Sequence, residues 1–214
     1  NGGVYTGNTD NGAFIKPRGE GKIALTLNNV NYTDSSTDGW VISLADYGGT
    51  EIDIKIDGGV YSSAAGINIV YGEIKNATIT ATGTEDWRYG QAIEVCGDEE
   101  VGGEVSIDKC IISSAIYAIT AGHSSVANVK ECTVTSSDKA YVVFPSGGTI
   151  NVTGGSYTGE LYIYDLDQNA TGGSIIIDGK PMAGGVDSGA ELAAAVAAGG
   201  EVVLTSDVTL SETL

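Results

Sequence analysis

Gly58-Gly59-Val60-Tyr61-Ser62, led in by the alternating run Ile52-Asp53-Ile54-Lys55-Ile56, is the stretch that decides the fold. The lead-in has one apolar face at period two, the pattern of a strand with one side in a core. The glycines suit a sharp bend, because Gly enters the left-handed backbone region without steric penalty. An apolar segment resumes after the bend. The same phrase recurs as Gly2-Gly3-Val4-Tyr5-Thr6 and Gly154-Gly155-Ser156-Tyr157-Thr158, and a phrase repeated in this way marks stacked structural repeats.

Weaker copies lie between these three. They are Leu27 to Thr33, Ile74 to Thr80, Ile107 to Ser113 and Val129 to Thr135, each an apolar residue, a two-residue bend, and an aliphatic or Tyr followed by Ser or Thr. Taking Gly3, Val30, Gly59, Ala77, Cys110, Cys132 and Gly155 as equivalent gives spacings of 27, 29, 18, 33, 22 and 23 residues. An irregular period of this size suits coils joined by loops of variable length. The residue before each equivalent position is Gly or Asn in five of the seven copies, the types that adopt left-handed backbone most cheaply. A further apolar segment follows each bend, as at Trp40 to Leu44, Ile67 to Tyr71, Ala92 to Cys96, Ile116 to Thr120, Ala140 to Phe144 and Leu161 to Tyr164. Three strands per coil predict an all-β fold, a right-handed parallel β-helix of about seven coils over residues 1–181. Its register would stack Tyr5, Tyr32 and Tyr61 in one column and Cys110 on Cys132 in another. A β-propeller or jelly roll is the alternative, and either would carry more hairpin signals of the Asn-Gly kind.

Residues 182–214 have a different texture. Pro181 to Ser188 reads as a linker, Gly189 to Ala198 as a short helix, and Glu201 to Leu204 and Val208 to Leu210 as strands. This segment is either a cap over the last coil or the opening of a following module.

The chain carries 28 acidic and 10 basic residues, a net charge of −18. Such a surface repels phosphate backbones and anionic membranes, so neither nucleic acid nor membrane insertion is expected. No apolar run is long enough to span a bilayer as a helix. Asn1 opens no signal peptide, and the chain reads as a mature or excised segment of a longer one. Three Cys without metal-ligand spacing argue against a zinc site and a disulfide framework. Cys110 and Cys132 read as small buried hydrophobes, with a bond between them left open. Composition fits an extracellular or bacterial cell-surface protein. Asn31, Asn76, Asn151 and Asn169 open Asn-X-Ser/Thr triplets that carry little weight in so Asn- and Thr-rich a chain.

The repeat resembles those of the pectin-lyase-like superfamily, whose right-handed coils carry an Asn or Gly bend, and the tail phrase Glu191 to Leu204 resembles modules of large bacterial surface proteins. The first resemblance covers residues 1–181 and concerns architecture, pointing to no enzyme family. It invites comparison with enzymes on acidic polysaccharides. Asn8-Thr9-Asp10, Gly97-Asp98-Glu99 and Gly122-His123-Ser124 superficially resemble polygalacturonase elements. An inverting glycosidase holds its carboxylates about 6.5 to 9.5 Å apart. In this register Asp10 and Asp98 lie three coils, or about 14 Å, apart along the axis. Glu99 also replaces the second Asp, Ser124 replaces a Gly, and no Arg-Ile-Lys element follows.

Lyase chemistry would need a base beside a Ca²⁺-binding carboxylate cluster. The weak catalytic candidates are Arg88, Asp98 and His123. Asp98, Glu99, Glu100 and Glu104 are the candidate Ca²⁺ ligands, set against a solvated acidic turn. His123, the only His, has a solvated loop as its plain reading. The coil with the 33-residue spacing has two enlarged loops, residues 81–90 and 97–103, and is the place to look for function. In the first loop Trp87 and Tyr89 stand beside Glu85, Asp86 and Arg88, a set that can stack on a sugar ring and bond its hydroxyls. The plain alternative folds Trp87 back over the coil. The leading expectation is a non-catalytic surface module for adhesion or carbohydrate binding. A divergent polysaccharide lyase or glycoside hydrolase and a passive spacer are its rivals.

Overall fold

The computed structural model describes residues 3–7, 12–17, 22–44, 51–84, 90–96, 102–144, 147–164 and 173–182. The chain enters through β1 (Gly3–Gly7) and β2 (Ala13–Ile15). The next two coils are β3 (Lys22–Asp34) with β4 (Trp40–Ile42), and β5 (Glu51–Ser63) with β6 (Ala65–Ile69). Then come β7 (Tyr71–Lys75), β8 (Thr78–Ala81) and β9 (Gln91–Cys96). The following coil is β10 (Glu104–Asp108), β11 (Ile111–Ser114) and β12 (Tyr117–Gly122). After it run β13 (Ser125–Lys130) with β14 (Thr133–Val143), then β15 (Gly148–Thr153) with β16 (Ser156–Ile163). The described path ends in β17 (Ser174–Ile177) and β18 (Lys180–Met182). Every described element is a strand.

The strands stack in three parallel ladders. The first, before the bend, joins β3, β5, β7, β10, β13, β15 and β17. The second, after the bend, joins β1, the distal halves of β3 and β5, then β8, β11 and the proximal halves of β14 and β16. The third joins β2, β4, β6, β9, β12 and the distal halves of β14 and β16. This is a parallel β-solenoid of about 6 turns. The expectation of about seven coils counts the bends rather than the circuits between them.

The expected register holds. Gly3 pairs with Val30 and Val30 with Gly59, and the neighbouring pairs Val60–Thr78, Ile111–Thr78, Ile111–Thr133 and Thr133–Ser156 carry Ala77, Cys110, Cys132 and Gly155 into the same column. The preceding residues Asn29, Gly58, Asn76, Lys109, Glu131 and Gly154 all have positive φ, between 50° and 72°. That conformation turns the chain from the first ladder into the second without a loop. Tyr5, Tyr32 and Tyr61 are in register as expected.

The interior is built of like residues on like residues. Leu27, Ile56, Ile74, Ile107, Val129 and Val152 form one column of the first ladder, and Ile42, Ile67, Ile93, Ile119 and Tyr141 one of the third. Each fully buried aliphatic contributes about 1.5–3 kcal/mol of transfer free energy. Because each coil contacts mainly its neighbours, these contributions accumulate coil by coil. The three cysteines are free thiols, and the Cys110 backbone N–H donates to Cys132 Sγ at 3.4 Å. At the end, Asp178 and Gly179 both have positive φ, and β18 runs back antiparallel along β17. Paired positive φ values are what a two-residue hairpin turn requires. The expected helix and strands of residues 189–210 lie outside the described residues.

Candidate functional site

Strand β9 is bracketed by two long connections, residues 82–90 before it and 97–103 after it. Its neighbours are joined more tightly, by residue 64 and residue 70 around β6, and by residues 115–116 and 123–124 around β12. The enlarged coil therefore falls where the spacing puts it. Its loop residues Glu85, Asp86, Trp87, Arg88 and Tyr89, and the acidic Asp98, Glu99 and Glu100, lie outside the described residues.

Within β9 the core-facing Ile93 and Val95 alternate with Glu94 and Cys96. Glu94 sits in register between Asn68 and Thr120, and Asn68 Nδ2 donates to Glu94 Oε2 at 2.7 Å. Burial pushes the Glu94 carboxyl up, the Asn68 bond and the charge of His123 act against it, and the balance leaves it above the usual range. A carboxyl in that state holds a proton to higher pH than an exposed one, the property required of a general acid. Beside it, Thr120 Oγ1 donates to Gln91 Oε1 at 2.8 Å, while the buried Gln91 Nε2 has no hydrogen-bond partner. Burial, and then Glu94, push the Cys96 thiol up to about 12, far from the thiolate range of a nucleophilic cysteine.

His123 begins the two-residue turn between β12 and β13, is partly buried, and influences Glu94. Both His123 and Ser124 have positive φ, 49° and 57°, a strained backbone for residues other than Gly. Glu104 lies elsewhere, on the outer side of the first ladder between Tyr71 and Val126, where Asn128 Nδ2 donates to it at 3.1 Å. Its surroundings are an amide and a sheet surface. Glu94 itself escaped sequence reasoning because a lone acid in a short apolar strand looks like an ordinary outward residue. No local sequence pattern marks it: its environment comes from neighbouring coils, where Thr120 and Val142 are buried on strands whose other faces are also buried.

Further along the third ladder is an aromatic group that sequence reasoning also missed. Lys139 Nζ stands 5.8 Å from the Tyr117 ring centre and 5.3 Å from that of Tyr162, and bonds Asp138 at 2.8 Å. Tyr117 and Tyr164 share a hydroxyl–hydroxyl bond of 2.9 Å.

The second ladder presents a different surface. Its outward row Thr6, Thr33, Ser62, Thr80, Ser113, Thr135 and Thr158 carries a hydroxyl at every strand, in unbroken register. Ser113 Oγ donates to Thr80 Oγ1 at 3.0 Å. The parallel row contains Val4, Val60 and Ile111, exposed at 80%, 48% and 56%, with Asn31 and Thr78 between them and Thr133 and Ser156 beyond. The only charged residue in these seven strand segments is Asp34, whose buried carboxylate accepts from Tyr32 Oη at 2.8 Å and the Ser36 N–H at 2.9 Å. The first ladder's outer side, by contrast, bears Asp53, Lys55, Asp57, Glu73 and Lys75 among others.

This chain matches no protein-family model, no curated protein and no solved structure.

Proposed function

We propose that this chain is a non-catalytic β-solenoid module displayed outside a bacterial cell, a stiff rod that offers binding surface to carbohydrate or to host-surface ligands. The observation that carries this reading is the neutral, hydroxyl-bearing outer face of the second ladder, kept free of exposed charge in a chain of net charge −18. In so acidic a chain, a face that carries hydroxyls at every strand and no exposed charge supports contact with something uncharged.

A divergent polysaccharide lyase or hydrolase is the second reading. It is favoured by one observation, the burial-raised carboxyl of Glu94 under the influence of His123. A single experiment separates the two. The protein is incubated with a panel of soluble polysaccharides, and retention in affinity gels is measured alongside release of reducing ends and unsaturated products. Retention without chain cleavage is expected. Product release that disappears in both Glu94→Gln and His123→Ala would establish the enzyme instead, and neither retention nor release would reduce the module to a passive spacer.

A further inference from the structure

We infer that the outer face of the second ladder is a docking surface for a neutral, β-linked polysaccharide laid along the solenoid axis, an inference that rests on the binding-module reading above and names its site and ligand class. Three properties of the face define the occupant. The first is charge. Two adjacent outward rows spanning β1 to β16 carry no ionised side chain, so the face has no attraction for an acidic polysaccharide, a phosphate backbone or an anionic headgroup.

The second is composition. Protein-docking surfaces concentrate Trp, Tyr, Arg and Met at their centres. The outward rows hold only Val, Ile, Asn, Thr and Ser, and the exposed tyrosines of these strands, Tyr5 and Tyr157, stand at the two ends of the ladder. Hydroxyls in one row and aliphatic groups in the next match a pyranose chain, whose ring edges bear hydroxyls and whose ring faces bear C–H groups. Val4, Val60 and Ile111 are exposed apolar residues in one column, and a sugar ring face would cover them.

The third is period. The hydroxyl row repeats at strand spacing, so its seven members span about 29 Å. An extended β-1,4-linked chain advances one ring over a similar interval, with alternate rings turned over. Every second ring therefore meets every second strand in the same way. Each contact is weak, and their number along one rigid rod supplies the affinity, as in any multivalent engagement. Such a ligand gains most from a partner that does not bend, which is what uninterrupted parallel ladders provide.

The test is affinity electrophoresis of the whole chain against a soluble neutral β-glucan, with polygalacturonate as the acidic counterpart. Wild type should be retarded by the β-glucan and not by polygalacturonate. Thr80→Val with Thr135→Val should weaken retention at least tenfold, and Ile111→Glu should abolish it. Ser106→Glu, an equally exposed change on the first ladder, should leave it unchanged. All these sites are outward-facing, and unchanged far-UV circular dichroism and thermal midpoints confirm that the variants fold.

Retention of the Thr80/Thr135 double variant at wild-type strength would overturn the assignment. If that retention were lost instead in Trp87→Ala with Tyr89→Ala, the face would be wrong and the binding-module reading would stand. Absence of retention by every glycan, neutral or acidic, would remove the proposal and the carbohydrate-binding reading together. Retardation by polygalacturonate alone, partition of the protein into ice without glycan binding, or self-association that Ile111→Glu disrupts would each overturn the proposal by assigning the face another occupant.

Discussion

The ring of Tyr61 fills the interior in register between Tyr32 and Ile79, yet its hydroxyl is buried with no hydrogen-bond partner. A buried hydroxyl without a partner costs about 1–3 kcal/mol. Tyr61→Phe is therefore expected to gain about 1 kcal/mol at pH 7, measured as a rise in the urea midpoint. Burial pushes the Tyr61 phenol up to about 12 from 10.0. A raised phenol favours the protonated folded state, so its contribution is present below pH 10 and is lost as pH climbs towards 12. The advantage of Tyr61→Phe should accordingly widen between pH 10 and 12. Tyr32 is the opposite case, because its hydroxyl serves the buried Asp34 carboxylate. The Tyr column was legible from sequence because identical residues recur at one place in the repeat. The coupling of Glu94 to Asn68 and His123 was not, since it joins residues far apart in sequence, 26 in the case of Asn68, and leaves no local pattern.

At the scale of single elements, the bends between the first and second ladders are the most sequence-determined feature of the molecule. Two bends depart from the Gly/Asn preference and place Lys109 and Glu131 at φ 53° and 50°. Left-handed backbone costs an ordinary L-residue about 1–2 kcal/mol, which Asn largely avoids. Lys109→Asn should thus stabilise by about 1 kcal/mol in urea unfolding, since the exposed pairs of Lys109 with Asp108 and Glu131 contribute little.

Glycines test the same idea from the other side. Gly179, at φ 79°, has nothing within 4 Å of where a Cβ would stand, so Gly179→Ala isolates the backbone cost at about 1 kcal/mol. Gly59, at φ 97°, would drive its Cβ into the carbonyl oxygen of Val30 in the coil below, and Gly59→Ala should cost clearly more. The third ladder was harder to read. Ala92 and Ile93, or Ala140, Tyr141, Val142 and Val143, are buried in unbroken runs, and a strand covered on both sides loses the alternation that reveals orientation.

For the whole molecule, the architecture follows from repetition, and the recurring bend phrase aligned all seven bends. The connections between strands vary in length from coil to coil, and residues 85–89 and 97–101 lie outside the described residues. The distribution of charge was equally invisible before the register was known, because composition counts acids without saying which ladder bears them. With a net charge of −18 concentrated off the second ladder, the fold works against its own repulsion. Salt screens exposed charges beyond about 10 Å at 0.1 M. The thermal midpoint should therefore rise from 10 mM to 0.5 M NaCl, most steeply at the low end. A midpoint that falls over that range would show ion pairs outweighing repulsion.

The reversal at Asp178-Gly179 bears on how such rods behave in company. An unfinished parallel ladder is a template on which a neighbouring molecule can add strand after strand, the route to fibril growth. Among the described residues the first ladder ends in β18, which runs the opposite way and contains Pro181, a residue with no N–H to offer. A neighbouring molecule adding to β18 would meet a strand of reversed polarity with one donor missing, so the hairpin disfavours parallel growth at that edge.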